Sequence, residues 1–201
     1  MIDKICNYLT NKIRKQIPEF TDEKAEEINY GLQLLIGELP KTFIFILISI
    51  LLGVFKEFLI TIIVIFPYRT FSGGFHLKTH LGCIVGTSMF YCGIAYISKF
   101  SLFSYNTKYI LTILIWIFGI LMCRLYAPAD TENVPILRKK ERKTKRILSY
   151  IVLTITLIIG VVIKNNTISN IIILGMLVQS IMISKLAYRI TNNKYGYEVY
   201  N

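Results

Sequence analysis

The chain has 201 residues, 54% of them hydrophobic, a mean hydropathy of +0.54 and a formal net charge of +11. This composition is too apolar for an ordinary soluble domain and is typical of a membrane protein. The cysteines have no framework spacing, which argues against a disulfide scaffold and favours reduced thiols on a cytoplasmic face. They are Cys6, Cys83, Cys92 and Cys123.

Two amphipathic helices are predicted within residues 1–40. Apolar residues recur at helical spacing from Ile2 to Ile17, and acidic residues after Thr21 suit the first turn of a second helix. We expect both helices to lie on the membrane surface or against the bundle. The stretch has no short apolar core followed by a small-residue cleavage site, so we expect no secretory signal peptide.

About six membrane segments are predicted next. Uncharged runs at residues 81–98, 109–123, 147–163 and 165–184 approach the roughly 17–25 residues that cross a bilayer. Two shorter runs, residues 42–55 and 58–68, are separated only by Lys56 and Glu57 and predict a hairpin or a re-entrant pair. A single kinked span is disfavoured, since each charge at mid-membrane would cost roughly 2.5–3.5 kcal/mol.

Basic residues concentrate directly before the run 147–163. Residues 138–146 contain seven basic residues and one acidic residue. Such a loop beside an apolar segment is more typical of the cytoplasmic side of a membrane than of nucleic-acid binding. We therefore expect no nucleic-acid partner, and a basic loop that sets topology and attracts an acidic substrate tail. The residues concerned are Arg138, Lys139, Lys140, Arg142 and Lys143.

The predicted fold is an all-α integral membrane bundle with both termini in the cytoplasm. Placing the basic loop in the cytoplasm sends the following segments out and back, and it places the start of run 81–98 at the cytoplasmic face. The expected organisation has three parts: interfacial helices at residues 1–40, a membrane catalytic domain at 41–190 and a cytoplasmic tail at 191–201.

Residues 69–83 hold the candidate site, because both histidines of the chain lie there within eight residues of a cysteine. Cys83 is the candidate nucleophile, and a neighbouring imidazolium or the Arg69 cation would lower its pKa. His80 and Cys83 can touch on one helix. His76 is seven residues from Cys83, about 10 Å of helical rise, so it can act only from a turn off the helix.

A glycine turn is predicted at Ser72, Gly73 and Gly74. Glycine permits the backbone angles that such a turn needs, and its amides can face an oxyanion. A metal site is the chemical alternative: His76, His80 and Cys83 have spacing that suits Zn²⁺, with Asp130 or Glu132 as a fourth ligand. Either carboxylate could instead orient an imidazole in a catalytic triad. The residues alone favour thiol catalysis and metal binding equally.

The chain resembles the accessory gene regulator B (AgrB) family, membrane endopeptidases of peptide quorum sensing. The resemblance rests on Arg69, on the stretch from Phe71 to His76, on His80 and Cys83, and on Pro128 to Asn133 followed by Pro135. It implies Cys83 as nucleophile and His76 as base, with Arg69 and Gly74 as supporting residues. It implies no metal and no cofactor, which favours thiol catalysis.

The resemblance also implies the substrate, a cytoplasmic propeptide of the AgrD type with an acidic C-terminal tail. Removal of the tail would leave an acyl-thioester enzyme, and the propeptide's own cysteine would then form a thiolactone ring. The resemblance implies a homodimer in the lipid of the cell membrane. Two other functions stay open at this stage: a zinc-dependent membrane hydrolase and a small peptide exporter without chemistry.

Overall fold

The computed structural model describes residues 2–17, 21–75, 77, 79–101, 103–132 and 135–200, with a few side chains inside the helices left undescribed. Within them the chain forms helices and no strand beyond an isolated bridge between Gly73 and Ala129, which confirms the all-α prediction. The helices are α1 Ile2–Gln16, α2 Asp22–Leu51, α3 Phe55–Ser72, α4 His80–Phe100, α5 Tyr105–Tyr126, α6 Lys139–Val162, α7 Asn166–Met182, α8 Lys185–Ile190 and α9 Gly196–Tyr200.

The chain divides into two compact units, residues 1–48 and residues 49–201. The first unit holds α1 and most of α2. Within it, Arg14 Nη2 lies 2.6 Å from Asp22 Oδ1, and Asn29 donates to the side chain of Asn7 at 2.5 Å. Helix α2 continues past residue 40 to Leu51, so the second helix predicted within residues 1–40 extends into the first short apolar run.

Residues 52–54 separate α2 from α3, so the two short apolar runs are not one kinked helix. Gly53 makes the turn with a φ of 67°. The ammonium group of Lys99 donates to the Gly53 carbonyl at 2.6 Å and lies 3.6 Å from Glu57 Oε1. Lys56 and Glu57, expected at the break, instead lie in the first turn of α3.

Helix α7 is the centre of the second unit and packs against α3, α4, α5 and α6. Its 17 residues span only about 25 Å. Buried positions surround it on all sides, including the polar side chains of Asn170 and Gln179, both fully buried. Glycines allow close approach: a Cβ at Gly160 would lie 2.6 Å from Ile172.

The outer helices α4, α5 and α6 are long and apolar enough to cross a membrane. Their outward faces carry exposed large hydrophobic side chains, such as Ile113 and Ile117, which are 59% and 55% exposed. Exposed apolar faces of this extent are typical of lipid-facing surfaces. The chain is therefore a helical membrane protein, and its number of spans stays a prediction.

Candidate functional site

The candidate site begins where α3 ends. Gly73 and Gly74 follow Ser72 with φ angles of 75° and 143°, a region that favours glycine. The Gly74 amide donates to the Ala129 carbonyl at 2.8 Å, and the Ala129 amide donates to the Ser72 carbonyl at 2.7 Å. A Cβ atom at position 73 would overlap the Ala129 oxygen. Position 73 therefore accepts only glycine, because the backbone of the turn lies so close to Ala129.

The segment that pairs with the turn is held from its other side by Tyr188. The Tyr188 hydroxyl donates to the carbonyls of Ala129 and Asp130 at 2.8 and 3.2 Å. The Phe75 ring packs edge-on against the Tyr188 ring, with centroids 6.5 Å apart. Burial and the nearby Asp130 carboxylate raise the pKa of Tyr188, so its hydroxyl stays protonated and keeps donating.

Arg69 and Gln179 hold the two ends of the turn. Gln179 Nε2 donates to Gly73 O at 2.8 Å and to Ser72 Oγ at 3.0 Å. Arg69 Nη2 donates to Phe75 O at 3.0 Å, and its Nη1 donates to Gln179 Oε1 at 3.4 Å. One buried amide on α7 thus connects the start of the turn to the guanidinium that holds its end.

Cys83 lies in the first turn of α4 and is partly buried. The Thr79 side chain caps this helix by accepting from the Gly82 amide at 3.0 Å, and the Cys83 amide donates to Thr79 O at 2.9 Å. Cys83 faces a cleft of about 30 Å³, room for one or two water molecules. The cleft is also lined by Arg69, Phe75, Leu77, Gly86, Thr87, Phe90 and Met182.

His76, the expected base, lies outside the described residues, as does Lys78. His80 begins α4, and nothing is described of its side chain. The helices around them are clear: α3 ends at Ser72 and α4 begins at His80. A continuous helix from α3 into α4 would have argued against His76 as the base, and residues 73–75, 77 and 79 lie outside both helices.

Asp130 is engaged in the fold rather than exposed to a substrate. Its Oδ2 accepts from Arg142 Nη1 at 2.7 Å and from the Ile136 amide at 2.9 Å, and its side chain is 1% exposed. Its Oδ1 is buried without a hydrogen-bond partner in the described part of the chain. Glu132 makes an interaction of its own. No contact between either carboxylate and an imidazole is described, so their roles in the site stay predictions.

The basic residues expected in a loop belong to a helix. Arg138 precedes α6, and Lys139, Lys140, Arg142 and Lys143 lie in its first turns, because lysine, arginine and glutamate are good helix formers. Arg142 faces inward, where its ion pair with Asp130 occupies it. The expectation of a basic loop is therefore wrong, while a role of these residues in topology or tail binding stays a prediction.

Sequence reasoning missed Gln179 and the tyrosines near the C terminus. Tyr195 stacks on Tyr188 with centroids 3.9 Å apart and on Tyr126 at 5.7 Å, and it is 1% exposed. Tyr195 lies in the expected cytoplasmic tail, yet its hydroxyl donates to Ile183 O at 2.9 Å. Gln179, like Asn170, was visible in the sequence as an amide among apolar residues, but that pattern alone does not separate a structural amide from a functional one.

Two cavities larger than the cleft of Cys83 lie in the second unit. A polar one of about 170 Å³ borders the glycine turn and includes Arg69, Asp130 and Lys145. A larger, apolar groove of about 350 Å³ lies between α5 and α6, beside Trp116 and Thr154, and no ionisable side chain lines it. The groove therefore offers no ionisable group for acid–base chemistry.

Comparison with known proteins gives consistent matches. A putative AgrB-like protein of Clostridium perfringens (strain SM101 / Type A) is 29% identical over 165 residues, 80% of this chain and 76% of the relative. One from Clostridium acetobutylicum is 26% identical, covering 97% of this chain and 91% of the relative. The accessory gene regulator protein B of Staphylococcus aureus (strain JH9) is 26% identical, covering 90% of each chain. No solved structure matches.

The sequence profile of the family described as accessory gene regulator B matches residues 2–183, nearly the whole chain. This range includes the glycine turn, Cys83, and the pairing segment around Ala129. The chain therefore belongs to the accessory gene regulator B (AgrB) family, which gives it a role in quorum sensing.

Proposed function

We propose that this protein is a membrane cysteine endopeptidase that removes the C-terminal tail of an AgrD-type propeptide and promotes thiolactone formation. One observation carries the proposal: of the four cysteines, only Cys83 is not buried. It lies in the first turn of a helix, beside a cleft that it shares with Arg69. A partly accessible thiol beside a cation is the environment in which a cysteine becomes a nucleophile.

The first step of the proposed reaction is acylation of Cys83. His76, assigned from the family resemblance, takes the thiol proton. The thiolate adds to the carbonyl carbon at the tail junction, and the carbon–oxygen π pair moves to the oxygen. When this intermediate collapses, the C–N bond breaks and the amine of the tail leaves with the proton from His76. The products are a free tail and an acyl-thioester on Cys83.

The second step transfers the acyl group to the propeptide's own cysteine. That cysteine's thiol gives its proton to His76 and its sulfur attacks the thioester carbonyl. A new C–S bond closes the ring, the bond to Cys83 breaks, and the departing Cys83 thiolate takes the proton back. One thioester replaces another, so the exchange is nearly balanced and depends mainly on proximity. A water-poor site at the membrane boundary would protect the intermediate from hydrolysis.

The proposed setting is the cytoplasmic face of the cell membrane, with both termini inside and the protein acting as a homodimer. The orientation follows from the basic residues at the start of α6, which favour the cytoplasmic side. An unexported propeptide would then meet Cys83 directly. Attachment of a labelling reagent to single cysteines placed in residues 103–104 and 164–165 would test this orientation, since both turns should react only from outside.

The decisive experiment co-expresses the chain with a cognate propeptide and identifies the peptide products by mass spectrometry. Wild type should release the tail, and Cys83→Ser and His76→Gln should not. Cys92→Ser is the matched control, because Cys92 is buried in the same helix, and it should retain cleavage.

Three outcomes would contradict the proposal. Cleavage by Cys83→Ser would show that the thiol is not the nucleophile. Loss of wild-type cleavage on adding a zinc chelator would favour a metal-dependent hydrolase. Appearance of an intact propeptide outside the cell would point to an exporter without chemistry.

A further inference from the structure

The thiol reaction needs hydrogen-bond donors for the negative oxygen of the tetrahedral intermediate. The glycine turn was the obvious source, but its amides are already occupied. The Gly73 amide donates to Arg69 O at 2.9 Å, and the Gly74 amide donates to Ala129 O at 2.8 Å. Neither N–H group can turn toward Cys83 without breaking the backbone pairing that holds the turn. The donors must therefore come from another group.

Arg69 is the charged residue that lines the cleft of Cys83. A guanidinium has five N–H donors. The Nη1 donors of Arg69 are directed at Gln179 Oε1 at 3.4 Å and Met182 Sδ at 3.6 Å, and one Nη2 donor is directed at Phe75 O at 3.0 Å. The Nε–H and the second Nη2–H have no hydrogen-bond acceptor among the described residues. Two donors and a full positive charge therefore remain for a ligand, and Arg69 lines both this cleft and the polar cavity beside the glycine turn.

Gln179 determines where that guanidinium lies. It is fully buried on the central helix α7, so its amide has little freedom to move. Its Nε2 is held by Ser72 Oγ and Gly73 O, which leaves Oε1 facing Arg69. A leucine of similar size would remove the acceptor for Arg69 and leave the Gly73 carbonyl without this partner.

We propose that Arg69 is the catalytic residue that stabilises the oxyanion formed when Cys83 attacks, and that Gln179 is the positioning residue that keeps the guanidinium in the cleft. Arg69 donates hydrogen bonds and transfers no proton, so the acylation step keeps the atom balance given above. The inference rests on the proposed thiol reaction and adds to it the source of the oxyanion's stabilisation.

The first test needs no substrate. The purified full chain in lipid nanodiscs is alkylated with iodoacetate, an anion, or with iodoacetamide, which is neutral, and modification of Cys83 is measured by peptide mass spectrometry. The thiolate fraction affects both reagents equally. The alkylation ratio, which is the rate with iodoacetate divided by the rate with iodoacetamide, therefore reports the local charge. A cation in the cleft should make this ratio about three- to tenfold higher in wild type than in Arg69→Gln at low salt.

The second test measures the single-turnover rate of tail release from a saturating propeptide. Loss of an oxyanion donor typically lowers such a rate by about 10²–10³, and we expect this for Arg69→Gln. Arg69→Lys keeps the positive charge but loses the planar guanidinium that reaches both Phe75 O and Gln179. Its release rate should therefore lie between those of wild type and Arg69→Gln. Gln179→Leu should lower both the release rate and the alkylation ratio.

Asn170→Leu is the matched control, because Asn170 is also a fully buried amide on α7 that donates to backbone carbonyls. It lies nine positions from Gln179, about 13 Å along the helix. It should destabilise the protein without changing the alkylation ratio or the release rate of the folded fraction. Equal losses of both readouts in Gln179→Leu and Asn170→Leu would reduce Gln179 to a structural residue.

The two proposals fail separately. Tail release by Cys83→Ser would overturn the thiol reaction itself. If Cys83→Ser is inactive while Arg69→Gln keeps the wild-type alkylation ratio and releases the tail within about threefold of the wild-type rate, the thiol reaction stands and the role of Arg69 is overturned.

Discussion

Each end of α7 carries a buried side-chain amide, and the two amides have different roles. At one end the buried amide of Asn170 donates to Ser98 O at 3.3 Å and Ser101 O at 2.8 Å, which fastens the end of α4. At the other end the buried amide of Gln179 donates to the glycine turn and accepts from Arg69. Both amides give hydrogen bonds to backbone carbonyls. Only the second end borders a charged side chain that reaches the cleft of Cys83.

This difference teaches that a buried polar residue in a membrane helix is informative through its partners. At the Asn170 end, the amide binds only backbone carbonyls at the end of α4, so it supports the fold. The Gln179 end joins backbone to a guanidinium and therefore also sets the position of a charge. Substitutions at the Gln179 end should lower both stability and processing, whereas those at the Asn170 end should lower stability alone.

The largest effect on stability is expected at the ion pair between Arg142 and Asp130, next to the segment that pairs with the glycine turn. Arg142→Met leaves the Asp130 carboxylate buried without its partner, which should lower the free energy of unfolding by about 3–5 kcal/mol. Thermal unfolding in detergent measures this. Lys143→Met is the control, since Lys143 is exposed and should have little effect. Equal stability of the two variants would show that the ion pair does not stabilise the segment around Ala129 and Asp130.

Gly73→Ala should come next. The new Cβ would overlap the Ala129 oxygen, and the φ of 75° disfavours alanine, so the turn must shift away from the position that Gln179 and Arg69 hold. Displacement of a site by about 1 Å can lower a rate about 100-fold, and we expect at least that loss of tail release.

The control for the glycine turn is Gly93→Ala within α4. A Cβ there meets no atom within 4 Å, and alanine favours a helix, so processing should be unchanged. Wild-type tail release by Gly73→Ala would mean that the turn does not shape the site.

Tyr188→Phe tests the hydrogen bonds that hold the segment around Ala129 from the side opposite the glycine turn. It removes the donor to Ala129 O and Asp130 O but leaves Ala129 O bonded to Gly74. We expect a loss of about 1–2 kcal/mol in stability and a several-fold slower tail release. The exposed Tyr96 provides the comparison: Tyr96→Phe should match wild type in both measurements. A tail-release rate for Tyr188→Phe equal to that of wild type would remove Tyr188 from the support of the turn.

The smallest effect should occur at the Asn170 end. Lys108 is buried and donates to Asn166 Oδ1 at 2.9 Å, at the start of α7. Lys108→Met keeps the aliphatic stem and removes this hydrogen bond, so we expect at most about 1.5 kcal/mol of destabilisation and an unchanged rate of tail release. A rate that falls with Lys108→Met would break the contrast between the two ends of α7.

Much of the fold was predictable because it follows from local patterns. The uncharged runs predicted α4, α5, α6 and α7, and the paired glycines predicted the break after Ser72. The basic stretch was misread as a loop because charge was weighed and helix propensity was not. Glu141 and Lys145, one helical turn apart and 3.1 Å from each other, stabilise a helix there.

The candidate site was only partly predictable because its supports are distant in sequence. Arg69 and Cys83 lie close together in the chain, and their chemistry suggested a site. Gln179 is 110 residues from Arg69, and no periodicity indicates which neighbour a lone amide will meet. Tyr195 falls in the predicted tail because its burial depends on stacking against Tyr188 and the distant Tyr126, which no local pattern indicates.

The cleft of about 30 Å³ beside Cys83 has a consequence for selectivity. A peptide backbone does not fit into so small a space, so a substrate must widen the cleft before its carbonyl reaches Cys83, although small reagents can still reach the partly exposed thiol. Opening the cleft requires free energy that only contacts far from the scissile bond can supply. In the proposed reaction a full-length propeptide would provide such contacts, whereas a fragment covering only the junction would lack them. In the proposed reaction, the narrow resting cleft would thus select substrates by their length.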